Sequence, residues 1–231
     1  MPSTSVRSTL WSVVLRAGDP EDPHRKTALN SLCEIYWAPV NAYLRRKGHS
    51  EEDARDATQG FFAHVLTIGA IDRAERGRGR FRNYLLALLE HFLANERRRA
   101  KAQKRGAGAK PLPLDAAPSE PPSPETLDAV FRKSWALTVL ERSLEKLRSE
   151  LAAKGRGDQF EAVRSHLLAG PARPSHDEIA RRLGASASDV ANLLHRSRKR
   201  LGAIIRSFLR DTVETDAEVE DEVRELFTSL E

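Results

Sequence analysis

Apolar side chains recur along this chain at three- and four-residue intervals, the spacing that gives a helix one buried face. Leu29, Leu32, Cys33, Tyr36, Val40, Tyr43 and Leu44 predict a helix over Arg25–Lys47. Pro39 lies inside it and predicts a kink or a break, because its ring removes an amide donor; Gly48 ends it. Ser50, with Asp53 three residues later, marks a capped start for a helix running to about Leu66. After a charged, glycine-bearing loop at Gly69–Gly79, Phe81, Leu85, Leu88, Leu89, Phe92 and Leu93 predict a helix over Phe81–Lys104. A short helix at Ser8–Ala17 precedes these three. In the second half, Phe131, Trp135, Val139 and Leu140 point inward from a helix over Glu125–Ala153, and a shorter one covers Asp158–Ala169. No alternating run of Val, Ile, Thr and Tyr marks a strand, so the fold class expected is all-α.

Two further helices follow in close succession. Ser175 and Glu178 form a capping box before Ile179, Ala180 and Leu183. Gly184 supplies a tight turn. Ser186 and Asp189 cap a second helix whose buried side is Val190, Leu193, Leu194, Leu201, Ile204, Ile205 and Phe208. Two capped helices joined by a glycine turn predict a helix-turn-helix, whose second helix enters the DNA major groove. Its early residues Ala187, Ser188, Ala191, Asn192 and His195 are the candidates for base edges. Arg196, Arg198, Lys199 and Arg200 are placed to hold phosphate.

Between Gly106 and Pro124 the chain holds six prolines, which predict an extended tether. The expected organisation is therefore two small helical domains joined by a Pro-rich linker: residues 1–105, the linker 106–124, a helix-turn-helix domain over 125–210, and an acidic tail over 211–231. The single cysteine, Cys33, allows no intrachain disulfide, and no Cys/His cluster has zinc spacing. There is no signal-peptide pattern and no apolar run of membrane-spanning length, so a soluble, cytoplasmic protein without membrane association is expected. Paired carboxylates, metal motifs and phosphate loops of the kind that mark an enzyme are also missing.

A net charge of +5 becomes informative once the charges are located. The window Arg76–Arg105 holds ten Arg or Lys and two acids, Glu90 and Glu96. Arg76, Arg78, Arg80 and Arg82 lead into the helix; Arg97, Arg98, Arg99, Lys101, Lys104 and Arg105 crowd its end. Cations at a helix C-terminus are mildly stabilising, but six exceed what capping needs, and such a patch predicts salt-dependent contact with nucleic acid. Phe81 reads as core. Tyr84 and His91 fit either the core or a stacking role beside unpaired bases.

These pieces, in this order, resemble the extracytoplasmic-function sigma factors of bacterial RNA polymerase. The matching stretches are Asp53-Ala-Arg-Asp-Ala-Thr-Gln59-Gly-Phe-Phe62, Gly79-Arg-Phe-Arg-Asn-Tyr-Leu85, Asn95-Glu-Arg-Arg-Arg99, and Glu178-Ile-Ala-Arg-Arg-Leu-Gly184 followed by Val190–Leu201. Residues Leu32–Arg105 look like the promoter-melting domain and Asp158–Arg206 like the C-terminal helix-turn-helix. The resemblance implies that Asp53, Asp56 and Gln59 dock on polymerase. The loop Asp72–Arg80 would capture a flipped base. Arg76, Arg78, Arg80, Arg82, Tyr84, His91, Asn95, Arg97, Arg98 and Arg99 would bind the −10 element. Ser186, Ala187, Ser188, Asn192, His195, Arg196 and Lys199 would bind the −35 element. Core RNA polymerase and promoter DNA are the implied partners, with an anti-sigma factor as a third candidate and no cofactor. The chain departs from the family pattern at Gly60, Tyr84, Ala87 and His91.

The competing reading is a conventional helix-turn-helix regulator with an N-terminal sensor or dimerisation domain; it leaves the Arg76–Arg105 concentration unexplained. The tail from Asp211 to Glu231 holds nine acids and one Arg, and Val213, Val219, Val223, Leu226 and Phe227 give it an apolar face. It is expected to form a final helix packed on the C-terminal domain. The alternative is that it covers a basic DNA-binding face and mimics phosphate.

Overall fold

A computed structural model describes residues 17–19, 21–71, 80–106, 124–168, 173–210 and 216–230. Among these residues every regular element is a helix, as expected. Eight run in order: α1 (Arg25–Arg46), α2 (Glu51–Thr67), α3 (Phe81–Gly106), α4 (Pro124–Ala152), α5 (Gly157–Leu167), α6 (His176–Leu183), α7 (Ala187–Leu209) and α8 (Asp216–Leu230). Most of the helix expected at Ser8–Ala17, the loop 72–79 and most of the linker lie outside the described residues.

Local chemistry sets the helix ends. Ser50 accepts a hydrogen bond from the Asp53 amide at 3.1 Å and starts α2. Gly48, at φ +98°, ends α1: its amide donates to the Arg45 carbonyl and the next amide, His49, donates back to Leu44. This is the left-handed closure that glycine adopts without steric cost. Pro39 breaks nothing, and α1 is a single helix through it. Pro39 is itself buried with Ile35, Tyr36, Val40 and Tyr43, so packing of the apolar face offsets the one missing backbone bond.

The chain forms two compact units. The first comprises residues 1–136 together with 210–231, and the second comprises 137–209. This differs from the expected partition in two ways. Helix α4 is divided: its first half contributes Leu127, Phe131 and Trp135 to the buried interior of the first unit. The acidic helix α8 also belongs to the first unit rather than to the C-terminal domain, and it buries Val219 and Leu226 there.

The first unit's core is aromatic. Tyr36 meets Phe81 edge-on at 5.5 Å, and Phe61 meets Phe92 at 5.8 Å, geometries that ring quadrupoles favour. In the second unit Ala162, Val163, Ile179, Ala180, Val190, Leu193 and Leu194 form one apolar cluster that holds α5, α6 and α7 together. No helix among the described residues is long and apolar enough to cross a membrane.

Candidate nucleic-acid interface

Helix α3 carries its cations at both ends, and the two ends have different surroundings. Arg80 and Arg82 sit at the N-terminus, where the helix dipole is already positive and no acid occupies the first turn. Two carboxylates from α8 supply the missing negative charge. Glu222 lies 2.5 Å from Arg80 Nε and accepts a hydrogen bond from Arg82 Nη1. Glu225 accepts from Arg80 Nη1 and lies 2.6 Å from Arg82 Nη2, an ion contact without hydrogen-bond alignment. The guanidinium carbon of Arg82 stacks over the Trp135 ring at 4.6 Å, a cation–π arrangement. Arg82 is 3% exposed and Glu222 0%, while Arg80 and Glu225 remain about a third open at 31% and 28%. Burial pulls the Arg82 guanidinium below its ordinary value and Glu222 pulls it back up. Burial also holds the neighbouring Tyr36 hydroxyl well above its ordinary range.

At the other end of α3, His91, Asn95, Arg97, Arg98, Arg99 and Lys101 are all exposed. His91, Asn95 and Arg98 follow at four- and three-residue steps and so share a face. Arg99 donates to Glu96 at 3.0 Å, an exposed pair of small energetic weight. Lys47, at the end of α1, joins this region. Burial and then the charge of Arg97 lower its affinity for a proton, and its Nζ donates to the Tyr43 hydroxyl at 3.4 Å. Tyr43 in turn faces Glu90 across 3.3 Å; burial, then Glu90, push its hydroxyl up to about 12. About fifteen residues at 1.5 Å each separate the two basic ends, roughly 22 Å along the axis.

In the second unit the α6–α7 pair is set by two caps and a turn. The Ser175 hydroxyl accepts from the Glu178 amide and the Glu178 carboxylate accepts from the Ser175 amide. Gly184 closes α6 at φ 61°. Ser186 and Asp189 repeat the reciprocal pattern, both backbone bonds at 3.1 Å. Their bonds to the serines hold Glu178 and Asp189 below the usual carboxylate range. The α7 positions Val190, Leu193, Leu194, Ser197, Leu201, Ile204 and Ile205 are buried. The intervening positions Ala187, Ser188, Ala191, Asn192, His195, Arg196 and Lys199 are exposed.

No protein-family model matches this chain, and no curated protein matches it.

The residues singled out from the sequence therefore fall into groups. His91, Asn95 and Arg97–Arg99 share the open end of α3. Arg80 and Arg82 are bound by α8, and Arg82 is interior. Tyr84 is half-buried, and its hydroxyl donates to the Ala70 carbonyl at 2.8 Å, so it ties α3 to the end of α2. Arg76 and Arg78 lie outside the described residues. On α7, Ser186 is a cap while Asn192, His195, Arg196 and Lys199 are open. Arg200, expected to hold phosphate, is instead braced by Glu150 through two bonds of 2.7 and 2.6 Å. Arg198 reaches the His166 carbonyl at 3.4 Å. Asp56 and Gln59 are exposed on α2; Asp53 is exposed too, but its carboxylate accepts from the Ser50 hydroxyl at 2.6 Å. Glu222, Glu225 and Trp135 as partners of the arginines, and Lys47 as an added cation, were not foreseen. One signal was present for Glu222: it stands among Val219, Val223 and Leu226 on the apolar face of α8, where an acid needs a buried base.

Proposed function

We propose that the chain is a sigma factor of the extracytoplasmic-function type. It binds core RNA polymerase in the cytoplasm and directs initiation through the −10 and −35 promoter elements. The observation that carries the reading is the division of α7 into two faces. Eight residues at helical spacing are buried, and the stripe Ser188–Asn192–His195–Lys199 with Arg196 stands open beside a double-capped turn. Short polar side chains early on such a stripe suit base edges, and cations later on it suit phosphate.

The first unit supplies the second contact. The open end of α3 offers several cations to a DNA backbone, with His91 and Asn95 on the same side. A strand opened at the −10 element would be held there by phosphate contacts, and trapping its unstacked bases would offset the few kcal/mol that unstacking costs. Asp56 and Gln59 on α2 are the polar groups available for polymerase. No covalent chemistry is involved. Two weak readers linked in one chain raise each other's effective concentration.

Run-off transcription with purified core enzyme on a genomic promoter library tests this reading. The expected result is a set of transcripts that depends on the chain, together with co-purification of chain and core. A chain that binds DNA but ignores core enzyme would instead be a conventional regulator.

A further inference from the structure

Helix α8 has no part in promoter recognition as proposed above, yet it takes up the charge of two arginines expected to meet DNA. Three observations bear on what it does. First, the N-terminal turn of α3 combines a positive dipole end with two arginines, and both favour an anion. Second, the anions found there are Glu222 and Glu225, one helical turn apart on α8, each touching both arginines. Third, α8 is only 15 residues long, a length at which a helix is marginal without its packing face. Of that face, Val219 and Leu226 are fully buried, Val223 is partly buried and Phe227 is half exposed. A short helix held by two apolar side chains and a carboxylate pair is a cover that competing phosphates can displace.

We propose that α8 is a built-in competitor of nucleic-acid phosphate. Glu222 and Glu225 occupy Arg80 and Arg82, and capture of a DNA strand at this end of α3 requires α8 to leave. The inference rests on the reading of α3 as a DNA-facing helix. Because only chains with α8 released are competent at this end, apparent affinity is reduced by the released fraction. Any partner or modification that holds α8 away would then activate the protein.

The test uses the full chain and a fluorescein-labelled single-stranded oligodeoxynucleotide. Two variants loosen α8 by different means: Glu222→Gln with Glu225→Gln removes the charges, and Leu226→Asp removes an apolar contact without touching them. Both are expected to bind DNA about tenfold more tightly than the natural chain. In the natural chain, hydrogen exchange over residues 216–230 is expected to accelerate when the oligonucleotide is added. This second readout needs no variant, so it decides the matter even if a substitution prevents folding. DNA binding with α8 equally protected overturns the proposal and leaves the DNA-facing reading standing. So does unchanged or weaker affinity in both folded variants. A folded natural chain and folded variants that all fail to bind the oligonucleotide remove both together.

Discussion

The arginines at the two ends of α3 belong to the same helix and the same run of positive charge, but they do different work. Arg82 is interior, stacked on Trp135 and neutralised by Glu222. Arg97, Arg98 and Arg99 stand in solvent in the C-terminal half of the same helix. A guanidinium in the interior must have its counter-charge supplied by the protein, because the loss of hydration far exceeds any surface attraction. One in solvent needs no partner and stays available to an outside anion. Positive charge along a sequence therefore marks where anions are wanted, and burial decides whether the protein or a ligand provides them.

The largest expected effect comes from breaking the interior pair. Arg82→Ala leaves the buried Glu222 with only the partly exposed Arg80 as a base, and breaking a buried pair in this way costs up to about 3–5 kcal/mol. The loss should fall on α8: hydrogen-exchange protection over 216–230 drops while α1 and α2 keep theirs. Replacing both partners, Arg82→Met with Glu222→Leu, should restore most of it, since the cost is the buried charge left short of its main partner. Unchanged protection of α8 in the single variant would contradict the assignment.

The second unit offers a smaller version of the same contrast, between Arg200 and Arg196. Arg200→Ala loses a two-bond pair with Glu150 that is partly exposed, so melting should register only about 0.5–1 kcal/mol. Arg196→Ala should leave stability alone and weaken DNA binding severalfold. The reverse pattern would mean that the face carrying Arg196 is not the one that meets DNA. Gly184→Ala, at φ 61° with open space around the new methyl group, should cost about 1 kcal/mol from backbone conformation alone. No loss at all would show that the turn relaxes.

The two units should also fail at opposite ends of the pH scale. Glu150, Glu178 and Asp189 are held below their ordinary values by hydrogen bonds from Arg200, Ser175 and Ser186. Their support is present above the ordinary carboxylate pKa of about 4 and is lost as pH falls through the folded values. Tyr43, in the first unit, is raised to about 12. Its support is complete below the ordinary tyrosine pKa of about 10 and is lost as pH climbs through the folded value. Residue-resolved hydrogen exchange between mild acid and alkali reads both. Acid loosening that falls first on α1 and α2 would argue against this division.

Local chemistry explains how much of this could be read beforehand. The helices follow from apolar spacing and caps within a few residues, and Val190, Leu193, Leu194, Leu201, Ile204 and Ile205 are buried as their spacing required. Of the kink or break expected at Pro39, the break does not occur, because tertiary packing outweighs one lost backbone bond. The position of α8 could not be read locally, since Arg82 and Glu222 are 140 residues apart and nothing in either helix names the other. Proximity in sequence favoured the C-terminal domain; charge and burial placed the helix in the first unit. Arg82 did carry a warning, standing three residues before Leu85 and seven before Leu89 on the face that becomes core. For Arg200 the brace lies 50 residues away, and neither its type nor its spacing distinguishes it from Arg196.

The salt dependence of DNA binding reads the open end of α3 most directly. The full chain and a variant with Arg97, Arg98 and Arg99 all changed to alanine are titrated with a single-stranded oligonucleotide over a range of salt. If these three meet phosphate, the variant binds more weakly and the slope of log affinity against log salt becomes shallower by about two, with stability unchanged. Identical slopes for the two chains would contradict the claim that the open end of α3 faces nucleic acid.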